Sequence, residues 1–113
     1  HYNIGKDGAV VQMVPDENRG WHAGKSVWQG VPDVNDYSIG IELVNRNDGL
    51  DPYPEAQYRR CLVICAHLAR RYGIDPEDIV SHRAISLVGK TDPAGFDMDR
   101  LRRDVAEALA EQP

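Results

Sequence analysis

Long apolar runs are missing from this sequence. No stretch approaches the roughly 20 consecutive apolar residues that a membrane-spanning helix requires, so no membrane insertion is expected. Runs of basic charge are missing too. No more than two arginines or lysines stand together, and the formal net charge is −5. A nucleic-acid backbone calls for a clustered basic footprint, so the composition speaks against nucleic acid and equally against an anionic membrane surface. No secretory signal is visible; the chain opens directly on "HYNIG", without an initiator methionine, and any such segment would lie upstream. Cysteine is scarce. Cys61 and Cys65 are the two present. Four apart on a helix, they project the same way from consecutive turns, a poor geometry for a disulfide, and they read as small buried hydrophobes. Internal repeats, low-complexity tracts and linkers are also lacking. A chain of 113 residues with 42% hydrophobic and 27% charged side chains reads as a single folded domain.

What is there is ordered by turn residues and periodicity. "HYNIG", "KDG" and "AVVQMVP" predict a hairpin, with Lys6-Asp7-Gly8 as its turn. Residues 15 to 37 are rich in Pro, Gly, Asp and Asn and predict a long loop with at most short helical turns. Loops of that length in a compact domain are usually functional, and this one holds both tryptophans, Trp21 and Trp28. "SIGIELV", 38 to 44, alternates as a strand does, with Ile39, Ile41 and Leu43 on one face. A helix is expected from about Pro54 to Tyr72, with proline in its first turn, Gly73 just past its end and a stripe of Tyr58, Cys61, Leu62, Cys65, Leu68, Ala69 and Tyr72. "DIVSH", 78 to 82, reads as a short strand, followed by a loop to Phe96. A last helix begins after Asp97 as N-cap and carries Met98, Leu101, Val105, Ala108 and Leu109 on one face. The order predicts an α/β fold, a small mixed sheet with helices packed against it.

Several polar residues stand where chemistry is possible. His82 closes the expected short strand, and Asp92 lies ten residues on, before a proline that biases it to an extended conformation. Imidazole nitrogen and carboxylate oxygen are both good zinc ligands, and a catalytic site takes about three protein ligands plus an open position. The same two residues also fit a histidine capping a strand and an aspartate making a turn. Lys90, in the same loop, could stabilise an oxyanion or simply be solvated. Glu42 stands inside "IGIELV". In a central strand its carboxylate would be buried and its pKa raised toward the range of a general base; in an edge strand it would face water. "WHAGKS" places Trp21 and His22 before small residues that permit close backbone approach. His22 reads as a metal ligand, a substrate contact or a buried hydrogen-bonding histidine. His1 and His67 are given no role.

Taken together, "RGWHAG", "NDYSIGIEL", "VSHRAI" and "GKTDPAGFD", in this order, resemble the zinc-dependent N-acetylmuramoyl-L-alanine amidases of the AmpD type, relatives of phage lysozyme-like amidases and of the peptidoglycan recognition proteins. The likeness runs through nearly the whole chain. It implies hydrolysis of the amide between N-acetylmuramic acid and L-alanine, in peptidoglycan or muropeptides, by a monomer with one zinc ion. It places zinc ligands at His82 and Asp92, the catalytic glutamate at Glu42, the oxyanion-stabilising lysine at Lys90 and substrate contacts at Trp21, His22 and Asn35. The family's first zinc ligand is a histidine in an upstream strand, and His1 matches a position that is not a ligand. Residues 1–113 are therefore expected to be one amidase-like domain lacking its first strand region, with the third ligand upstream. "TDPAGF" also departs mildly, with Ala94 and Gly95 where relatives read Gly then Pro. The alternative is a module of the same fold that binds peptidoglycan without cutting it. A stem-peptide zinc peptidase with a Ser-x-His motif fits less well, because it has no place for "WHAG" or "SIGIEL". The negative charge leans away from a wall-binding lysin and toward a cytoplasmic enzyme, while an envelope or phage origin stays open.

Overall fold

A computed structural model of the chain describes residues 1–111. The predicted hairpin is formed by β1 (Tyr2–Ile4) and β2 (Val10–Gln12), antiparallel, with Asn3 opposite Val11. Its connection is closed by main-chain bonds between Gly5 and Ala9 in both residues' neighbourhood: Gly5 N donates to Ala9 O and Gly8 N to Gly5 O. The loop after it is more ordered than its composition predicts. It contains β3 (Val27–Trp28) and β4 (Val31–Pro32), paired antiparallel, and a 3-10 turn at Val34–Asp36. Gln29 and Gly30 between β3 and β4 both have positive φ, the signature of a tight two-residue hairpin turn.

The "IGIEL" strand is β5 (Ile41–Leu43), shorter than the seven residues of its alternating pattern. It lies parallel to β1, so the three-stranded sheet runs β2-β1-β5 and is mixed, as expected. The sheet packs on α1 (Glu55–Tyr72) and α3 (Met98–Ala110). Helix α1 begins after Pro54, which is its N-cap rather than part of its first turn, and stops at Gly73 in the left-handed region, as predicted. Asp97 caps α3 by accepting from Arg100 N. The main core joins Ile4, Tyr58, Cys61, Cys65, Ala69, Leu101 and Val105, and both cysteines are free thiols within it. Tyr72, at the end of the predicted stripe, is exposed, as is His67. No helix among the described residues is long and apolar enough to cross a membrane.

The expected strand at 78 to 82 is not formed. Asp75 caps a 3-10 turn at Pro76–Asp78, Ile79 is extended, neither Ile79 nor Val80 belongs to a strand, and Ser81 caps a short helix, α2 (His82–Ile85), by accepting from Ala84 N. His82 therefore opens a helix instead of closing a strand. The physical reason is local: a serine hydroxyl directly after an apolar pair supplies the bond that starts a helical turn.

A second, smaller cluster, Ala23, Val34 and Ile85 with Trp28 and Val80 against it, supports this region. It ties the 15–37 segment to α2, helped by a bridge between Ser26 and Ser86 and by Leu87 N on Lys25 O.

Gln57 joins sheet to helix. It is fully buried in α1, and its Nε2 donates at 3.0 Å both to Ile4 O at the end of β1 and to Val44 O just past β5. Its Oε1 is buried without a hydrogen-bond partner, which offsets part of that gain. Gln57→Ala should lower stability by about 2 kcal/mol, since the bonds to Ile4 O and Val44 O are lost, Ile4 O keeping only the Val44 N–H, and a cavity opens; a urea midpoint within error of wild type would show that the bridge contributes nothing.

Candidate functional site

The site grows from His82. As the first residue of α2 its ring is turned onto the "WHAG" loop, where Nε2 lies 3.0 Å from Ala23 O. A carbonyl only accepts, so Nε2 carries a proton. On the other side Nδ1 lies 3.1 Å from Oδ1 and 3.2 Å from Oδ2 of Asp92. With its proton on Nε2, a neutral ring turns the Nδ1 lone pair toward that carboxylate. Two electron-rich groups at this separation need a proton or a cation between them. A histidine whose far N–H is fixed on a backbone carbonyl is the usual arrangement of a metal ligand, and a carboxylate beside it completes a hard, compatible pair. The donor chemistry of His82 and Asp92 thus fits two positions of a zinc site. Among the described residues no group of three or more His, Cys, Asp or Glu is gathered that could hold a metal.

The backbone also links the two. Arg83 N donates to Asp92 O at 3.0 Å, so the start of α2 and the 90–95 loop are joined through main chain as well as side chain. Lys90 is exposed on this loop, with its own N–H on Ser86 Oγ. Neither Lys90 nor Glu42 bonds to the pair among the described residues. Glu42 is exposed: β5 lies at the edge of the sheet beside β1, and the Glu42 side chain points away from the face on which Ile41 and Leu43 pack against the core. The buried, central setting considered for Glu42 is corrected: the edge-strand alternative is the one observed, and the carboxylate faces solvent.

The "WHAG" loop is shaped from below. Asn35 is buried, and its Oδ1 accepts from His22 N at 3.0 Å and Ala23 N at 2.8 Å. It lies beneath the loop, where it aims Ala23 O at His82. Trp21 is the opposite, 84% exposed, with the Arg19 guanidinium 4.3 Å above its ring. His22 packs against the chain entering β5. Ser38 Oγ donates to Val34 O at 2.6 Å, so at the 3.2 Å contact between Ser38 Oγ and His22 Nε2 the ring is the donor. A Cβ on Gly40 would stand 2.4 Å from His22 Cγ, so only glycine admits the ring there. His1, to which the local pattern gives no role, is buried on the same spot. Its Nδ1 accepts from Gly40 N at 3.0 Å, Nε2 donates to Asn18 O at 2.6 Å, and its ring meets His22 edge-on at 5.6 Å. Nothing in the local pattern marks His1 or Ser38, since their partners are distant in sequence. A surface hollow of about 580 Å³ lies between Trp28, Val80, Met98 and Arg102, and none of the candidate residues lines it.

These features define an α/β chain with a histidine–carboxylate pair against the "WHAG" loop and an exposed glutamate on β5. The profile of the N-acetylmuramoyl-L-alanine amidase family matches residues 1–95, and the chain belongs to that family. It is 44% identical over 101 residues to the 1,6-anhydro-N-acetylmuramyl-L-alanine amidase AmpD of Enterobacter cloacae, covering 87% of this chain and 52% of that protein. It is 40% identical over 105 residues to AmpD of Escherichia coli, covering 90% and 55%. Among solved structures, a selenomethionine derivative of AmpD superposes with a TM-score of 0.84 at 39% identity, over 92% of this chain and 57% of that one. The amidase AmiD from E. coli, in complex with the substrate anhydro-N-acetylmuramic acid-L-Ala-D-gamma-Glu-L-Lys, superposes with a TM-score of 0.82 at 33% identity, over 92% and 46%. The chain spans about half the length of the relatives it matches.

Burial first, then the charge of the His1 α-amino group, with a smaller effect of Arg19, hold the His22 pKa below its ordinary value of 6.5. The unfolded chain therefore binds more protons near and below that value, and stability should fall as pH drops through it. Comparing urea midpoints at about pH 5 and about pH 7.5, His22→Gln should narrow the difference seen in the wild type; an unchanged difference would remove His22 as its source.

Proposed function

We propose that the protein to which this chain belongs hydrolyses the amide joining N-acetylmuramic acid to L-alanine. The observation that carries this is the His82–Asp92 pair, with Nε2 pinned on Ala23 O. Family membership supports the bond cleaved. The names of the AmpD relatives and the ligand in the AmiD complex favour a soluble anhydro-muropeptide over intact wall.

His82 and Asp92 would hold zinc, which when bound supplies a Lewis acid and makes water acidic near neutral pH. Glu42, exposed on β5, accepts a proton from the water attacking the amide carbon. It then delivers that proton to the nitrogen of L-alanine as the C–N bond breaks. Lys90 donates an N–H to the carbonyl oxygen as negative charge develops there. Trp21 offers an exposed ring face to the sugar, and His22 a polar edge beside it. Asn35 serves from below, by fixing the backbone of residues 22 and 23.

The gathering of only two side-chain donors among the described residues favours one competing reading, a module that binds muropeptide without cutting it. Zinc content and turnover separate the two. In the full-length protein, Glu42→Gln should cut release of L-alanine-terminated peptide from an anhydro-muropeptide by about 10²- to 10⁴-fold while zinc stays bound. His82→Ala should lose the metal as well. Turnover near wild type in Glu42→Gln would sink the role given to that residue, and a wild type that binds muropeptide with neither zinc nor turnover would favour the binding module.

A further inference from the structure

We propose that Asn47 is a positioning residue for Asp92, holding the 90–95 loop in register with His82; the proposal rests on the reading of Asp92 as a metal ligand. Asn47 lies in the turn between β5 and α1, 45 residues before Asp92 in the sequence. Its side chain uses both ends of the amide on that loop. Nδ2 donates to Thr91 Oγ1 at 3.0 Å, and Oδ1 accepts from Ala94 N at 2.7 Å. Thr91 immediately precedes Asp92 and Ala94 follows it by two, so one planar group brackets the carboxylate's backbone from both sides.

The bracket is itself held. Asn47 has φ 59°, in the left-handed region that asparagine tolerates better than most residues. Its N–H donates to Asn45 Oδ1 at 2.8 Å, and Asn45 Nδ2 reaches Asp51 O at 3.0 Å. Asp51 accepts from Arg46 N and pairs with Lys6 in the β1–β2 connection. Tyr53, beyond the turn, donates to Ala94 O at 2.7 Å. The turn thus carries the position of the sheet to the ligand loop, and Arg83 N on Asp92 O carries it on to α2. Partners behind a ligand commonly set metal affinity by orienting it.

The test uses Asn47→Gly, which keeps the backbone conformation and removes both bonds, and Asn47→Asp, which keeps an acceptor for Ala94 N–H. Three quantities are read: melting temperature, hydrogen exchange at the Arg83 amide, and zinc affinity by competition with a chromophoric chelator. Asn47→Gly should speed Arg83 exchange and weaken zinc binding about 10- to 100-fold, with little change in melting temperature, and Asn47→Asp should recover most of both. Exchange and affinity within about twofold of wild type in Asn47→Gly would overturn the proposal. So would faster exchange with unchanged affinity, provided that His82→Ala abolishes binding. If His82→Ala binds zinc as well as wild type does, the metal reading has failed instead, and Arg83 exchange alone decides whether Asn47 holds the loop.

Discussion

One hydrogen bond orders the site, that between Nε2 of His82 and the carbonyl of Ala23. It decides which ring nitrogen carries the proton, and so which one presents a lone pair to Asp92. The carbonyl cannot turn away, because Asn35 holds the N–H groups of His22 and Ala23 from beneath, and Ala23, Val34 and Ile85 pack behind it. The bond thus reaches across 59 residues and depends on a polar side chain buried in an apolar cluster. Such a group is favourable only because its acceptor is fully engaged.

A second constraint is steric. Gly40 lets the ring of His22 lie against the backbone entering β5, while His1 accepts from the Gly40 N–H on the other side. Two histidines with fixed donors and acceptors therefore flank the strand that carries Glu42. This keeps positive charge on His22 unfavourable and leaves Glu42, two residues further along, on the solvent side of an edge strand. A carboxylate there stays accessible to water without the desolvation cost of a buried charge.

Much of this was legible in the residues. Helices α1 and α3 follow from apolar spacing, Gly73 and the Asp97 cap, because those signals act within one or two turns. The hairpin follows from Lys6-Asp7-Gly8. The strand expected at 78 to 82 failed because Ile79 and Val80 are too short a run to separate strand from extended connection, while the serine that starts α2 was present but outweighed by them. Glu42 falls in the expected strand, but its alternation left both a buried and a solvent-facing setting open. Alternation shows which face a side chain takes, not whether another strand lies alongside.

By itself the sequence determined the helices, the strand bearing Glu42, the membership of its motifs in one family and the candidates His82 and Asp92. These are properties of spacing and residue type, which are local. The tertiary structure alone decided that His82 and Asp92 meet, which nitrogen of His82 faces the carboxylate, that Asn35 lies beneath the loop, that His1 and Ser38 bond around Gly40 and His22, and that Asn47 bonds to the 90–95 loop. Each of these depends on a hydrogen bond between segments brought together only by packing, and the direction of such a bond is set by the partner's position, which no local pattern records.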